Sequence, residues 1–146
     1  MYAMWTKGEA GLKRGRVFVS GPIQGMETDQ SYRKVIRDIC VRCGYEVIDP
    51  WEREKIIYNG SELGWWNRVP PVDFIERDLK DIEKCSVLVA FLPKLSAGTC
   101  MELFYAKLRG KKTVCVCQIK NPSPWIIAHS DIILKKIGQL ENALKQ

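Results

Sequence analysis

The sequence has few of the residues that build a metal site or a disulfide framework. Histidine occurs once, at His129, and the only Cys-x-x-Cys pair, Cys40 and Cys43, falls inside a helical pattern. A structural zinc site needs four close ligands, and a redox pair belongs just after a strand, at the start of a helix. We therefore expect no metal and no cofactor, and we interpret the six cysteines as buried thiols.

Long apolar segments and long basic segments are also missing. No apolar run approaches the roughly 20 residues of a membrane helix, and residues 1–15 lack the apolar core of a signal peptide. We therefore expect a cytoplasmic protein without a membrane partner. The net charge of +6 comes from scattered lysines and arginines, which gives little support to nucleic-acid binding. An enzyme that acts on an anionic metabolite fits this charge equally well.

The order of the apolar patterns predicts an α/β fold. Helical patterns alternate with five strand-like runs, at residues 16–20, 45–49, 86–92, 113–117 and 132–134. This alternation is typical of a doubly wound, three-layer sandwich, and we expect five parallel strands in flavodoxin-like order. The length of 146 residues predicts one domain, over residues 15–146, preceded by an N-terminal arm, residues 1–14.

The most informative stretch is residues 96–106, which follows the third predicted strand and begins a helical pattern. Its small residues form a turn whose free N–H groups suit an anion, and Glu102 follows among apolar neighbours. Two interpretations stay open. Thr99 and Glu102 form a capping box, or Glu102 is a carboxylate placed to attack a sugar carbon.

Other features fall on the same predicted sheet edge. The turn at residues 21–25 is neither G-x-G-x-x-G nor a Walker loop, which argues against ordinary dinucleotide or nucleoside triphosphate binding. Trp51 follows the second strand. Asp78 lies beside the apolar stripe of a helix, where a solvated charge paired with Arg77 or Lys84 is the simpler interpretation. Residues 52–71, with exposed-looking Trp65 and Trp66, predict either a lid or a surface flap.

Four segments together resemble the nucleoside 2'-deoxyribosyltransferase superfamily. They are residues 17–25, Asp29-Gln30, Asp78-Leu79 and Ser96-x-Gly98-Thr99-x-x-Glu102, and the resemblance spans residues 16–144. It implies that Glu102 attacks C1' of the sugar to give a glycosyl-enzyme. It also implies that Asp78 orients this nucleophile or protonates the leaving base. Such a displacement needs one ionised carboxylate and one proton source.

Ser96 indicates the branch of this family. Transferases of unphosphorylated nucleosides typically carry an aspartate six residues before the glutamate, whereas a serine resembles the nucleoside 5'-monophosphate N-glycosidases, including the cytidylate hydrolases. A hydroxyl and free N–H groups accept a phosphate, which an aspartate would repel. Gln24 departs from this branch, because some of its members have an arginine there. Another basic side chain would then supply the phosphate site, or phosphate affinity would be lower.

The resemblance also implies the remaining site residues and the partners. Trp51 corresponds approximately to a base contact, and Ile23 to an apolar position beneath the base. Trp125 and His129 fall at positions where members of the family often contribute residues to the site of a neighbouring subunit. The alternative for Trp125 is packing in the core, and the alternative for His129 is a hydrogen bond at the end of a helix. A homodimer or larger homo-oligomer that binds a small nucleoside or nucleotide is implied. The expected substrate-binding residues are Ser20, Gly21, Ile23, Gln24, Gly25, Trp51, Ser96, Gly98 and Thr99.

Three functions therefore compete with nucleotide hydrolysis through Glu102. Deoxyribosyl transfer between nucleobases uses the same nucleophile, with a base in place of water. A non-catalytic nucleotide-binding module would use the turns without needing Glu102. A nucleic-acid-binding domain would show a steep salt dependence.

Overall fold

The sheet has the predicted topology. A computed structural model describes residues 13–58, 60 and 64–146, so most of the predicted N-terminal arm and part of the 52–71 segment lie outside the described residues. All strand pairs are parallel, and the order is β2-β1-β3-β4-β5, which confirms the doubly wound fold. The strands are β1 (Arg16–Ser20), β2 (Glu46–Ile48), β3 (Val87–Leu92), β4 (Lys112–Cys117) and β5 (Ile132–Leu134).

The helices follow the predicted pattern except in two places. The 52–71 segment is not one long loop, because it contains α2 and a 3-10 helix. The helical pattern at residues 137–144 predicts one closing helix, which the structure divides into a second 3-10 turn and α6. The described helices are α1 (Ser31–Arg42), α2 (Trp51–Tyr58), α3 (Pro71–Glu83), α4 (Ala97–Leu108), α5 (Pro124–Ala128) and α6 (Leu140–Lys145), and the 3-10 helices are Trp65–Arg68 and Ile137–Gln139. None of these helices has the length and hydropathy of a membrane span.

Two apolar layers cover the two faces of the sheet. Val17 and Val19 of β1 face one layer, together with Ile36 of α1 and Leu144 of α6. Phe18, between them, faces the other layer, to which α3 and α4 contribute. Every residue of β3 is buried, as its continuous apolar sequence predicted for a central parallel strand.

The start of α4 differs from the capping-box prediction. Ser96, in extended conformation, is the N-cap, and its Oγ accepts a 3.3 Å hydrogen bond from the Thr99 N–H. The Thr99 hydroxyl is 3.0 Å from the same oxygen. Thr99 is therefore inside the first turn, and the capping box of Thr99 with Glu102 is wrong. Glu102 lies three residues further into the helix than a capping box requires, so its carboxylate is free for another role.

The cysteines are free thiols. Five of them are buried and Cys100 is partly exposed. Burial raises the pKa of Cys40 to about 12 and that of Cys115 to about 12, so these thiols are protonated and unreactive at neutral pH. They pack as small apolar side chains, as the sequence predicted.

Candidate active site

A cleft of about 190 Å³ opens at the carboxyl ends of β1 and β3. This is the edge at which doubly wound sheets bind ligands. It brings together eight of the residues singled out in the sequence: Gly21, Ile23, Gln24, Asp78, Ser96, Gly98, Thr99 and Glu102. Ser20 joins them through a hydrogen bond to Glu102. Six further lining residues were not predicted: Arg33, Pro50, Glu54, Trp65, Phe74 and Ile75.

The Glu102 carboxylate is held at the strand edge by Ser20. The Ser20 hydroxyl, fully buried at the end of β1, donates a 2.5 Å hydrogen bond to Oε1 of Glu102. Burial and, after it, the nearby charge of Asp78 raise the pKa of Glu102 to about 7, against the opposing effect of the Ser20 hydrogen bond. A positioned, poorly solvated carboxylate that ionises near neutral pH suits a nucleophile.

Asp78 is buried, so the prediction of a solvated charge paired with Arg77 or Lys84 is wrong. Its Oδ1 instead accepts a 2.9 Å hydrogen bond from Nη2 of Arg53, on α2. The same nitrogen lies 2.6 Å from Oδ2 of Asp81. The folding of α2 against α3 provides this arginine, and no pattern within α3 itself indicates it. Burial raises the pKa of Asp78, although the arginine opposes the shift.

Glu54 is a third carboxyl group in the same cleft. It lies on α2 and is only 3% exposed. Burial and, after it, the hydrogen bond and charge of the adjacent Asp78 raise its pKa to about 10. Glu54 therefore carries a proton at neutral pH, and Asp78 accepts the hydrogen bond. Three carboxyl groups, Glu54, Asp78 and Glu102, form what we call the carboxyl cluster.

The glycine turn after β1 is held from below by a buried ion pair. Nη1 of Arg33 lies 2.8 Å from Oδ1 of Asp49, and Nη2 donates a 2.9 Å hydrogen bond to the carbonyl of Gly21. A side chain at Gly21 would overlap the ring and hydroxyl of Tyr32, so the turn needs glycine there. Arg33 thus fixes the position of the cleft floor, which makes it a positioning residue.

Replacing Arg33 with leucine is expected to lower the free energy of unfolding by about 3–5 kcal/mol, because the buried Asp49 would lose its close partner and keep only the longer contact with Arg37, at 3.6 Å. For a chain of this size the midpoint of thermal unfolding should fall by roughly 10–20 °C. Lys34→Leu, which breaks an exposed ion pair with Asp38 on the same helix, is the matched control and should change stability by under about 0.5 kcal/mol. Calorimetry of both variants measures the difference. Equal shifts would contradict the role of Arg33.

The aromatic wall of the cleft is Trp65 and not Trp51. Trp65 is buried, so the prediction that it is exposed surface is wrong, and its ring lies 6.1 Å from that of Phe74. Trp51 does not line the cleft, and its ring packs 6.0 Å from that of Tyr58. Trp65 Nε1 donates a 3.2 Å hydrogen bond to Oε2 of Glu27. This contact fixes the 3-10 helix over the cleft.

The opposite end of the cleft is formed by the start of α4 and the glycine turn. Ser96, Gly98 and Thr99 line it, and the first N–H groups of α4 lie at this end. Gly25 is outside the lining, but its carbonyl accepts a 3.2 Å hydrogen bond from Nζ of Lys94. Lys94 is therefore a cation between the two loops, on the side where Gln24 replaces an arginine of the resembling enzymes.

Trp125 and His129 lie outside this cleft, on the other side of α4. They line a second groove of about 280 Å³ together with Met101, Phe104 and three further residues. Trp125 is 70% exposed, so core packing is excluded for it. His129 ends α5, and its Nδ1 is 2.6 Å from the carbonyl oxygen of Trp125, as the alternative of a helix-terminal hydrogen bond predicted.

Among the described residues, no group of histidine, cysteine, aspartate and glutamate side chains is arranged to hold a metal ion.

A parallel sheet of this order, with carboxyl groups at its ligand-binding edge, defines a doubly wound α/β protein with a polar cleft. The model of one protein family, described as nucleoside 2-deoxyribosyltransferase, matches residues 17–144. The chain belongs to this family of enzymes, which act on small nucleosides and nucleotides.

Solved structures have the same fold at low sequence identity. A 2-deoxyribosyltransferase from Bacillus psychrosaccharolyticus superposes with a TM-score of 0.63 at 14% identity, over 87% of this chain and 90% of that one. A conserved protein from Enterococcus faecalis V583 superposes with a TM-score of 0.66 at 15% sequence identity, over 90% of this chain and 97% of that one. The CMP N-glycosidase BcmB from Clostridium botulinum superposes with a TM-score of 0.57 at 21% sequence identity, over 88% of this chain and 97% of that one. A search of curated protein sequences found no significant match.

Proposed function

We propose that the chain is an N-glycosidase that cleaves the bond between base and sugar in a nucleoside 5'-monophosphate. The observation that carries this proposal is the placement of Glu102. Its carboxylate is fixed by Ser20 in the same cleft as the buried Asp78 and the serine-capped start of α4. A nucleophile, a proton source and an anion site are the three groups that such a reaction needs.

In the first step of the proposed mechanism an oxygen of Glu102 attacks C1' of the sugar. The bond from C1' to the base nitrogen breaks, its electron pair stays on the nitrogen, and a proton from the side of Asp78 neutralises the leaving base. Water then attacks C1' of the glycosyl-enzyme and releases the Glu102 carboxylate. The water gives a proton back to the carboxyl groups, so the enzyme returns to its initial state.

The phosphate would lie at the end of the cleft formed by Ser96, Gly98 and Thr99. The start of α4 offers free N–H groups, and the positive end of the helix dipole favours an anion. Lys94, tied to the carbonyl of Gly25, supplies the positive charge that Gln24 does not. The base would then lie toward Ile23 and the apolar wall of Trp65 and Phe74.

The test is incubation with AMP, CMP, GMP, UMP, their 2'-deoxy counterparts and the matching nucleosides, each with and without a second free base. Chromatography of the products separates the possibilities. Release of base from a monophosphate without a second base supports hydrolysis. A new nucleoside formed only with added base supports the alternative, nucleobase exchange, which the name of the family favours. Binding without any product would indicate a nucleotide-binding module.

We also propose that the face around Trp125 joins two copies of the chain. The exposed apolar side chains on this face come from α4 and α5, and Trp125 protrudes beside a groove that Met101 and Phe104 help to line. A protrusion and a groove on one face suit an isologous pair, in which each copy fills the groove of the other. The face belongs to the helix that carries Glu102, so Trp125 and His129 would lie near the neighbouring site.

Trp125→Ser is expected to weaken self-association at least about 30-fold, because loss of a buried aromatic anchor costs about 2 kcal/mol or more. Analytical ultracentrifugation over a concentration series measures the change. Val41→Ser, which removes an exposed apolar side chain on α1, is the control and should leave association unchanged. A wild-type chain that stays monomeric at high micromolar concentration would refute this interface.

A further inference from the structure

We infer that Glu54 holds the proton that the leaving base receives, and that Asp78 positions this proton. The inference rests on the proposed glycosidase function and deepens it, because it assigns the source of the proton to a residue that the sequence did not indicate. It also gives a reason for the third carboxyl group of the cluster, which the nucleophile and its immediate partner do not require.

The geometry that supports this assignment is the convergence of three helices. Glu54 comes from α2, Asp78 from α3 and Glu102 from α4, and all three line one cleft. The Glu54 side chain is almost completely buried, and no N–H or hydroxyl group of the described residues donates a hydrogen bond to its Oε2. A buried carboxyl oxygen without a partner costs free energy, and such groups occur where a substrate later completes the hydrogen bonding.

The charges around the pair decide which carboxyl group carries the proton. Arg53 contacts Asp78 at 2.9 Å and favours its ionised form, and Arg77 acts in the same direction. Glu54 faces the negative charges of Asp78 and Glu102, and the charge of Arg33 opposes them. Burial and these charges raise the pKa of Glu54 to about 10, so the neutral acid persists across the physiological pH range.

A protonated Glu54 also serves the nucleophile. The negative charge of Asp78 already raises the pKa of Glu102, and a second ionised neighbour would raise it further. With Glu54 neutral, Glu102 still ionises near neutral pH and remains able to attack. When the bond from C1' to nitrogen breaks, the shared proton moves to the base nitrogen and leaves both carboxyl groups ionised. The attacking water later restores this proton to the pair.

The test is Glu54→Gln with two kinds of substrate. Glutamine keeps the size of the side chain and donates an N–H to Asp78, but it has no proton to transfer. The first substrate is the nucleoside 5'-monophosphate that the wild type cleaves fastest in the panel described above. The second is the 4-nitrophenyl glycoside of the same sugar 5-phosphate, whose leaving phenolate needs no proton. We expect base release to fall about 10²–10⁴-fold and nitrophenolate release to stay within about threefold.

The pH profile gives a second readout that a purely structural role would not change. In the wild type, kcat/KM for the nucleotide should fall below about pH 7, as Glu102 becomes protonated, and again near pH 10, as Glu54 loses its proton. In Glu54→Gln the alkaline fall should disappear and the acidic one should remain. Glu52→Gln, an exposed position on the same helix, is the matched control and should leave both limbs unchanged.

Two outcomes would overturn the inference. One is an equal loss of activity toward both substrates in Glu54→Gln, in a protein that still unfolds at the wild-type temperature. The other comes from infrared difference spectra of the wild type without substrate at pH 8. The carbonyl stretch of a protonated carboxylic acid should be present there and absent from Glu54→Gln, and its absence from the wild type would refute the assignment. If the wild type cleaves neither substrate but shows this band, the glycosidase proposal fails, whereas the assignment of a proton to Glu54 is supported.

Discussion

Glu102→Gln is expected to reduce base release from a nucleoside 5'-monophosphate by at least about 10³-fold while the fold persists. The amide has the size of the carboxylate and still accepts the Ser20 hydrogen bond, but it is a far weaker nucleophile. Removal of a partly buried carboxylate with a raised pKa should not destabilise the protein, because the cost of desolvating its charge disappears. Loss of activity with unchanged or higher stability is therefore the expected combination.

The measurement is chromatography of released base, with intact-mass spectrometry of quenched reactions to detect the glycosyl-enzyme. The wild type should gain the mass of one sugar phosphate, and Glu102→Gln should not. Glu76→Gln, an exposed carboxylate of α3, is the control and should keep full activity. Base release by Glu102→Gln at more than about a tenth of the wild-type rate would show that another group carries the reaction.

Ser96→Asp is expected to lower kcat/KM for monophosphates roughly 10²-fold and to change that for nucleosides by less than about threefold. At about 4 Å and an effective dielectric constant of about 20, the added charge repels a phosphate by several kcal/mol. Aspartate is as good an N-cap as serine, so the start of α4 should be preserved. The variant therefore changes the charge at the phosphate end and little else.

Ser96→Asn is the matched control for this experiment. Asparagine also caps a helix and has nearly the size of aspartate, but it is neutral. It should retain most of the monophosphate activity, and the ratio between the two variants isolates the charge. A parallel loss with nucleosides and monophosphates would show that Ser96 acts only through the structure of α4.

The fold was predictable because its determinants are local in the sequence. Strand β3 is apolar at every position, which indicates burial on both faces, and helical patterns separate all five strands. The parallel order then brings the ends of β1 and β3 together, so Ser20, Gly21 and the 96–102 stretch had to meet. The convergence of these residues in one cleft needed no information beyond the topology.

The missed residues depend on contacts between segments distant in sequence. Glu54 lies on a helix with almost no apolar stripe, so nothing local distinguished its buried position from the exposed one at Glu52. Asp78 appeared solvated because its partner, Arg53, is on another helix. Arg33 did carry a signal. It follows Tyr32 on the buried stripe of α1, and an arginine in that position indicates a buried ion pair.

Glu27 connects the two ends of the cleft mechanically. One carboxylate oxygen accepts the N–H of Gly25 at 2.8 Å, and the other accepts the indole N–H of Trp65. The glycine turn and the aromatic wall therefore share one rigid joint, and a displacement of either is transmitted to the other. Under the proposed function, occupancy at the phosphate end and occupancy at the base end are then thermodynamically linked. By reciprocity, a sugar phosphate and a free base change each other's affinity by the same factor.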